Sequence, residues 1–410
     1  MTETAAARDP TLAAAVRRAT RGQRLAAAGL VAPLVLLLVC SLCLPIASLL
    51  GRAFYDPTMA DGLPRTAAAL AVDTGATVPG DAAFAALGAD LAADLKDDTV
   101  FRVAQYLNTI LPGSRSHVLR AARGARADAP YTRESLLAAD PFWGEPDTWF
   151  IIRSGVKPFT STYLLAAIDL QWLPTGGIGP VPPGQGIYRL IFLRTFLIAA
   201  AVTAITLVLG FPLAWLLATL PGTVASRLIM LVLLPFWTSI LVRTAAWTVL
   251  LQKFGLLNDL LLWLGVTSGR MEFMYNRTGL LIAMTHIQLP FTLLPIYSVM
   301  RTIDPSQMRA AYSLGARPVS AFLRVYLPQV MPGVMGGCLL TFILCLGYFI
   351  TPALVGGTAD QLISNFISDY INVDLNWPMA ASLSFILLGA TLTLSLLFAR
   401  LVGGGRVRIF

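Results

Sequence analysis

Acidic residues are missing from every long apolar stretch of this 410-residue chain, which has only two histidines, four cysteines and three lysines against 27 arginines. Each scarcity excludes something. The apolar spans offer no His-Glu-x-x-His pattern and no clustered His and Cys, so no metal site is assigned. Without a Gly-x-Ser-x-Gly elbow there is no supported nucleophile, and no residue is assigned as catalytic. The phosphate-cradling pattern Gly-x-x-x-x-Gly-Lys-Ser/Thr is absent as well, so ATP hydrolysis is not expected of this chain. Cys40, Cys43, Cys338 and Cys345 all lie in apolar runs and read as small packing residues. Charged residues are 13% of the chain against 56% hydrophobic, and the mean hydropathy is +0.70, which excludes an ordinary soluble domain.

What is present is apolar length. A hydrocarbon core of about 30 Å takes about 20 helical residues, and six runs reach that: 25–50, 192–217, 228–251, 278–300, 333–354 and 379–401. A seventh, 254–266, is too short, is interrupted by Asn258 and Asp259, and is expected to lie in the interface. The first run follows an arginine-rich tail without a small-residue cleavage pattern and is read as retained. The expected fold is an all-α polytopic membrane protein of about six transmembrane helices.

The net charge of +8 invites a nucleic-acid reading, but its distribution argues for a lipid bilayer. Arg8, Arg17, Arg18, Arg21 and Arg24 precede the first run, Arg301, Arg309, Arg317 and Arg324 separate the fourth and fifth, and Arg400, Arg406 and Arg408 close the chain. Six crossings put all of these on one side, which the positive-inside tendency makes the cytoplasm, with both termini there. The loop holding Asp360, Asp369 and Asp374 carries no Lys or Arg, in agreement, while Lys253, Arg270 and Arg277 are a mild exception.

Three regions are expected: 1–52, a cytoplasmic tail and first span; 53–187, an extracytoplasmic insert; and 188–410, a five-helix core. The insert holds 14 of the 22 acidic residues. Phe84, Leu87, Leu91 and Leu95 recur there at helical spacing, which calls for an apolar partner. Residues 174–186 are rich in Pro and Gly and read as an extended tether. The insert either meets a partner or caps the bundle.

The inner loop at 304–328 is more than a connector. Asp304 suits an N-cap and Pro305 the first helical position, and the helix they start is expected to stop at Gly315. Pro318 opens a second helix over 319–327, which Pro328 and Pro332 are expected to break ahead of the fifth run. Such a helix-turn-helix is either a knob for a groove on another protein or an interfacial helix anchored by arginines.

Ala310-Ala311-Tyr312-Ser313-Leu314-Gly315-Ala316, then Phe322 and Val325-Tyr326-Leu327-Pro328, resembles the signature loop of bacterial ABC importer permeases. Leu234-Pro235-Phe236-Trp237-Thr238-Ser239, Leu241-Val242-Arg243-Thr244, Ala246-Trp247 and Gly255-Leu256-Leu257-Asn258, with Asn376-Trp377-Pro378, are similar to the spermidine/putrescine-type members. This resemblance covers about residues 190 to 402 and excludes the insert. It implies that 304–328 docks into an ATPase subunit through Arg309, Ala310, Ala311, Gly315, Phe322, Leu327 and Pro328. Arg309 stands where the family usually has glutamate, so a salt bridge there would need an acidic partner.

The resemblance also implies ATP and Mg2+ on that partner with no cofactor in this chain, a second permease subunit, an extracytoplasmic solute-binding protein, and a bacterial inner membrane location. The solute it implies is a polyamine or a related small organic solute. Trp237, Arg243, Trp247, His286, Gln288 and Tyr348 are candidates for the translocation path. A charge at a helix centre costs roughly 2.5 to 3.5 kcal/mol, so Arg243 either serves function or holds neighbouring groups in register. Two other classes remain open: an ion-driven secondary transporter, which would need membrane carboxylates the runs lack, and a sensor or scaffold that uses the insert.

Overall fold

The structure is a computed structural model that describes residues 26–73, 77–97, 99–125, 131–173 and 177–403, with side chains described outside 94–97 and 401–403. The tail arginines Arg8 to Arg24 and the C-terminal Arg406 and Arg408 lie outside the described residues, as do the side chain of Leu95 and the first part of the expected tether.

The chain divides into two compact units, residues 1–52 and 53–410. The described part of the first is one helix, α1 (Ala26–Gly51), with exposed apolar side chains along its length, as suits a helix solvated by lipid. Its turn widens at Val39–Cys43, just ahead of Pro45, which has no N–H for the regular ladder.

The second unit opens with the insert, which is helical: α2 (Thr58–Gly62), α3 (Pro64–Val72), α4 (Asp81–Asp97), α5 (Thr99–Ile110), α6 (Ser114–Gly124), α7 (Arg133–Ala139), α8 (Pro146–Gly155) and α9 (Thr162–Ala166). The stripe read from the sequence is buried: Phe84, Leu87 and Leu91 are at most 1% exposed and pack with Leu107, Trp143 and Trp149. The expected tether is partly a hairpin, since β2 (Ile178–Pro180) pairs antiparallel with β1 (Leu170–Trp172), and Gly177 at φ +113° makes the turn. His117 of the insert is half-buried. Its ring stacks on Phe142 and its Nδ1 lies 2.6 Å from Asp140. Burial pushes the Asp140 carboxyl upward, but His117, the Phe142 N–H and Arg120 together hold it below its ordinary range.

The membrane part follows with α10 (Tyr188–Thr219), α11 (Gly222–Leu233), α12 (Ile240–Leu250), α13 (Leu256–Trp263), α14 (Arg277–Thr302), α15 (Pro305–Ser313), α16 (Pro318–Leu346), α17 (Ile350–Val355), α18 (Ile363–Asn372) and α19 (Trp377–Gly403). Among the described residues five helices are long and apolar enough to cross a membrane, or six if the broken pair Gly222–Trp237 and Ile240–Leu250 is counted as a single span. The run at 228–251 is therefore not the straight helix expected: the pair bends by 96°. Pro235 lies in a tight turn at Leu234–Trp237, and the Ser239 hydroxyl accepts from Leu241 N to start α12 afresh. Helix α13 has eight residues, too few to cross. Its Asn258 is fully buried and clamps the adjoining loop, donating to Met271 O at 2.9 Å and accepting from Met271 N at 2.8 Å.

Helices α10, α14 and α16 form the centre of the bundle. Gly333 and Gly337 bring α16 against α14: a Cβ on Gly337 would lie 2.6 Å from Thr292 O, and one on Gly333 2.9 Å from Pro295 O. Helix α14 runs unbroken through Pro290 and Pro295. Across the same three helices Thr206, Thr292 and Thr341, all fully buried, join hydroxyl to hydroxyl at 2.9 and 2.6 Å.

The insert shares a core with this bundle. Ile191, Ile363, Met379 and Leu383 are buried in the same apolar cluster as Leu63 and Tyr163. Two polar contacts fix the joint. Asp169, at φ +56°, accepts from Tyr188 N at 2.9 Å and Arg189 N at 2.7 Å, satisfying free donors at the start of α10. Asn376 accepts from Met379 N at 3.1 Å and donates to Thr109 of α5 at 3.4 Å.

Candidate functional site

The segment 304–328 begins as its residues dictate. The Asp304 carboxylate accepts from Ser306 N at 2.8 Å, Pro305 opens α15, and the chain turns at Gly315 with φ +83°, a left-handed backbone cheap only for glycine. Hydrogen bonds from the Ser306 backbone and hydroxyl hold the Asp304 carboxyl below its ordinary range.

Beyond Pro318 the structure departs from expectation. The second helix is not broken by Pro328 and Pro332 but continues into the span as α16. A wide turn at Phe322–Tyr326 precedes Pro328, whose missing N–H falls where the ladder is already rearranged, and Pro332 is carried inside the helix. The second helix of the segment and the membrane span are one rod.

The turn of the segment is apolar and open. Leu314 is 89% exposed and Val319 69%, and no atom approaches within 4 Å of where a Gly315 side chain would start. Arg309, Ala310 and Pro328 are exposed, while Ala311 and Leu327 are half-buried. Phe322 instead turns inward, edge-on to Phe211 of α10 and stacked on Tyr326. Leu314, absent from the sequence-derived set, is the most exposed apolar side chain here. Its position immediately before a helix-ending glycine was the available signal.

The other candidates do not gather at one place. Trp247 donates to His286 Nδ1 at 3.2 Å, joining α12 to α14 beside an apolar groove of about 490 Å3. Arg243, one turn before Trp247, folds back over the bend. Its guanidinium donates to Pro235 O and Thr238 O and lies 5.2 Å from the centre of the Phe236 ring. This geometry favours the register-holding reading of Arg243. Gln288 is 1% exposed and, two residues from the exposed His286, projects to the far side of α14. Its Oε1 has no hydrogen-bond partner among the described residues. Trp237, the last residue of the tight turn, is 79% exposed, and Tyr348 is half-buried at the break after α16, where Ser364 bonds its carbonyl.

Residues 191–404 match the family described as binding-protein-dependent transport system inner membrane component. The spermidine/putrescine transport system permease protein PotB of Escherichia coli (strain K12) is 37% identical over 202 residues, covering 49% of this chain and 73% of that protein. Its namesake from Haemophilus influenzae is 32% identical over 211 residues, covering 52% and 73%. A crystal structure of a bacterial ABC transporter that imports the acidic polysaccharide alginate aligns with a TM-score of 0.41 and 18% identity, over 51% of this chain and 78% of that one. The chain belongs to the family of inner membrane components of binding-protein-dependent transport systems, the multi-pass permease subunits of ATP-driven importers whose ATP hydrolysis takes place on a separate subunit.

Proposed function

We propose that this permease carries polyamines or closely related small organic cations, and that residues 304–328 couple it to its ATPase. The identity to PotB, 37% over 202 residues, is the observation that carries the solute reading. The coupling reading is supported by the knob's exposed apolar tip and its continuity with α16. ATP and Mg2+ belong on the ATPase, a second permease subunit completes the pathway, and a solute-binding protein delivers cargo on the side of the insert. Both termini and the knob face the cytoplasm, as the arginine distribution favours. Closure of the ATPase pair would swing the knobs and switch the cavity between its two openings.

The test is co-purification in detergent with the ATPase of the same operon, comparing wild type with Gly315→Asp, followed by ATP-driven putrescine uptake in vesicles. Aspartate at φ +83° strains the turn without meeting a neighbouring atom, so ATPase recovery should fall while membrane insertion is unchanged. Equal recovery in both would reject the coupling role. ATPase recovery without putrescine uptake would reject the solute.

A further inference from the structure

A cavity of about 500 Å3 lies where the insert meets the ends of α10, α18 and α19, a size within the usual range of small-molecule sites. Two of its lining residues, Asp169 and Asp374, are acidic and none is basic. Asp169 is 9% exposed, and its carboxylate accepts from the Tyr188 and Arg189 backbone N–H groups at the start of α10, with no ion-pair partner among the described residues. Asp374 is exposed at the rim, and among the described residues no side chain or backbone N–H pairs with its carboxylate.

The walls between these charges are aromatic and acceptor-rich. Tyr188 and Tyr370 line the cavity and meet hydroxyl to hydroxyl. Asn376, 8% exposed, uses its Oδ1 for a single bond from Met379 N. An adjoining cavity of about 350 Å3 shares Asp374 and Asn376 and adds Asp56, buried and bonded by Thr58 and the Tyr163 hydroxyl, with Arg102 also on its wall. Negative charge, π faces and carbonyl oxygens with no facing base in the larger cavity select one ligand class.

We propose that this cavity binds a linear alkyl diammonium, with Asp374 and Asp169 as its charge partners and Tyr188 and Tyr370 as its aromatic wall. The insert is then part of the solute route rather than a cover. The proposal rests on the polyamine reading above and adds a site on this chain itself.

The experiment uses the full chain alone in lipid nanodiscs, titrated calorimetrically with 1,4-diaminobutane and with neutral 1,4-butanediol. Saturable binding of the diamine and none of the diol is expected. Asp374→Asn should weaken diamine binding about tenfold, the effect of removing one charge partner, and Asp374→Glu should restore part of it. Asp374 lies outside the packed core, so an unchanged melting temperature certifies each variant. No saturable diamine binding, or equal affinity in Asp374→Asn, overturns the site. Uptake by the complete importer separates the two readings: diaminobutane transport without binding to the isolated chain overturns this site alone, whereas binding without transport overturns the polyamine assignment and leaves the site standing.

Discussion

Gly337 of α16 and Thr292 of α14 meet backbone to backbone, with room for a hydrogen but not a methyl: a Cβ on Gly337 would stand 2.6 Å from the Thr292 carbonyl oxygen. Gly337→Ala should therefore force the helices apart and cost about 1–3 kcal/mol, read as a lower melting temperature in detergent by tryptophan fluorescence. Gly336→Ala is the internal control, since nothing lies within 4 Å of its Cβ position, and it should be neutral or stabilise by up to about 1 kcal/mol. Equal effects at the two glycines would refute close packing at Gly337.

The threonine chain beside it has a fixed direction. Thr206 donates to Thr203 O and Thr292 donates to Thr206, so Thr341 must donate to Thr292. Thr292→Val interrupts this at its middle and should cost about 1 kcal/mol, whereas Thr292→Ser keeps the hydroxyl and most of the stability. Combining Thr292→Val with Thr341→Val should cost less than the sum of the single changes, because the Thr341–Thr292 hydrogen bond is lost in each.

Arg243 clasps the 96° bend by holding the carbonyls of Pro235 and Thr238 while lying over Phe236. A lysine ammonium lacks the planar fork. Arg243→Lys should lower ATP-driven uptake about tenfold with normal amounts of folded protein, and Arg243→Ala should lower it further. Uptake unchanged in both variants would show that the bend holds without its clasp.

The N-cap of α15 should respond to acid. The native Asp304 carboxyl sits below its ordinary value of 3.8, so its contribution is complete above that value and is lost as pH falls through the lowered one. Hydrogen exchange of the Gln307 and Met308 amides should accelerate in that acid window in the wild type. Asp304→Asn, which still accepts from Ser306 N, should show no such step.

Local chemistry was legible in the sequence where a residue determines its own backbone. Asp304, Pro305, Gly315 and Pro318 mark the knob as they stand, and the apolar spacing of Phe84, Leu87 and Leu91 marks a buried face. Direction was not legible. Hydropathy counts apolar residues without regard to heading, so the run holding Pro235 and Ser239 looked straight, and Pro328 looked like a stop although a widened turn absorbs it. Gly333 and Gly337 carried a recognisable four-residue spacing that the reading missed. The Thr206–Thr292–Thr341 chain, Asp169 on Tyr188 and Asn376 on Thr109 join residues far apart in sequence, and no local pattern encodes such pairs.

The shared core of insert and bundle sets an order of events during synthesis. Leu63 and Tyr163 leave the ribosome early, but Ile363, Met379 and Leu383, buried in the same cluster, are made near the end of the chain. At about 5–20 residues per second, Leu383 trails Ile191 by roughly 10 to 40 s. For that interval the insert presents an unfinished apolar flank, and its maturation has to wait for the last helix to enter the bilayer.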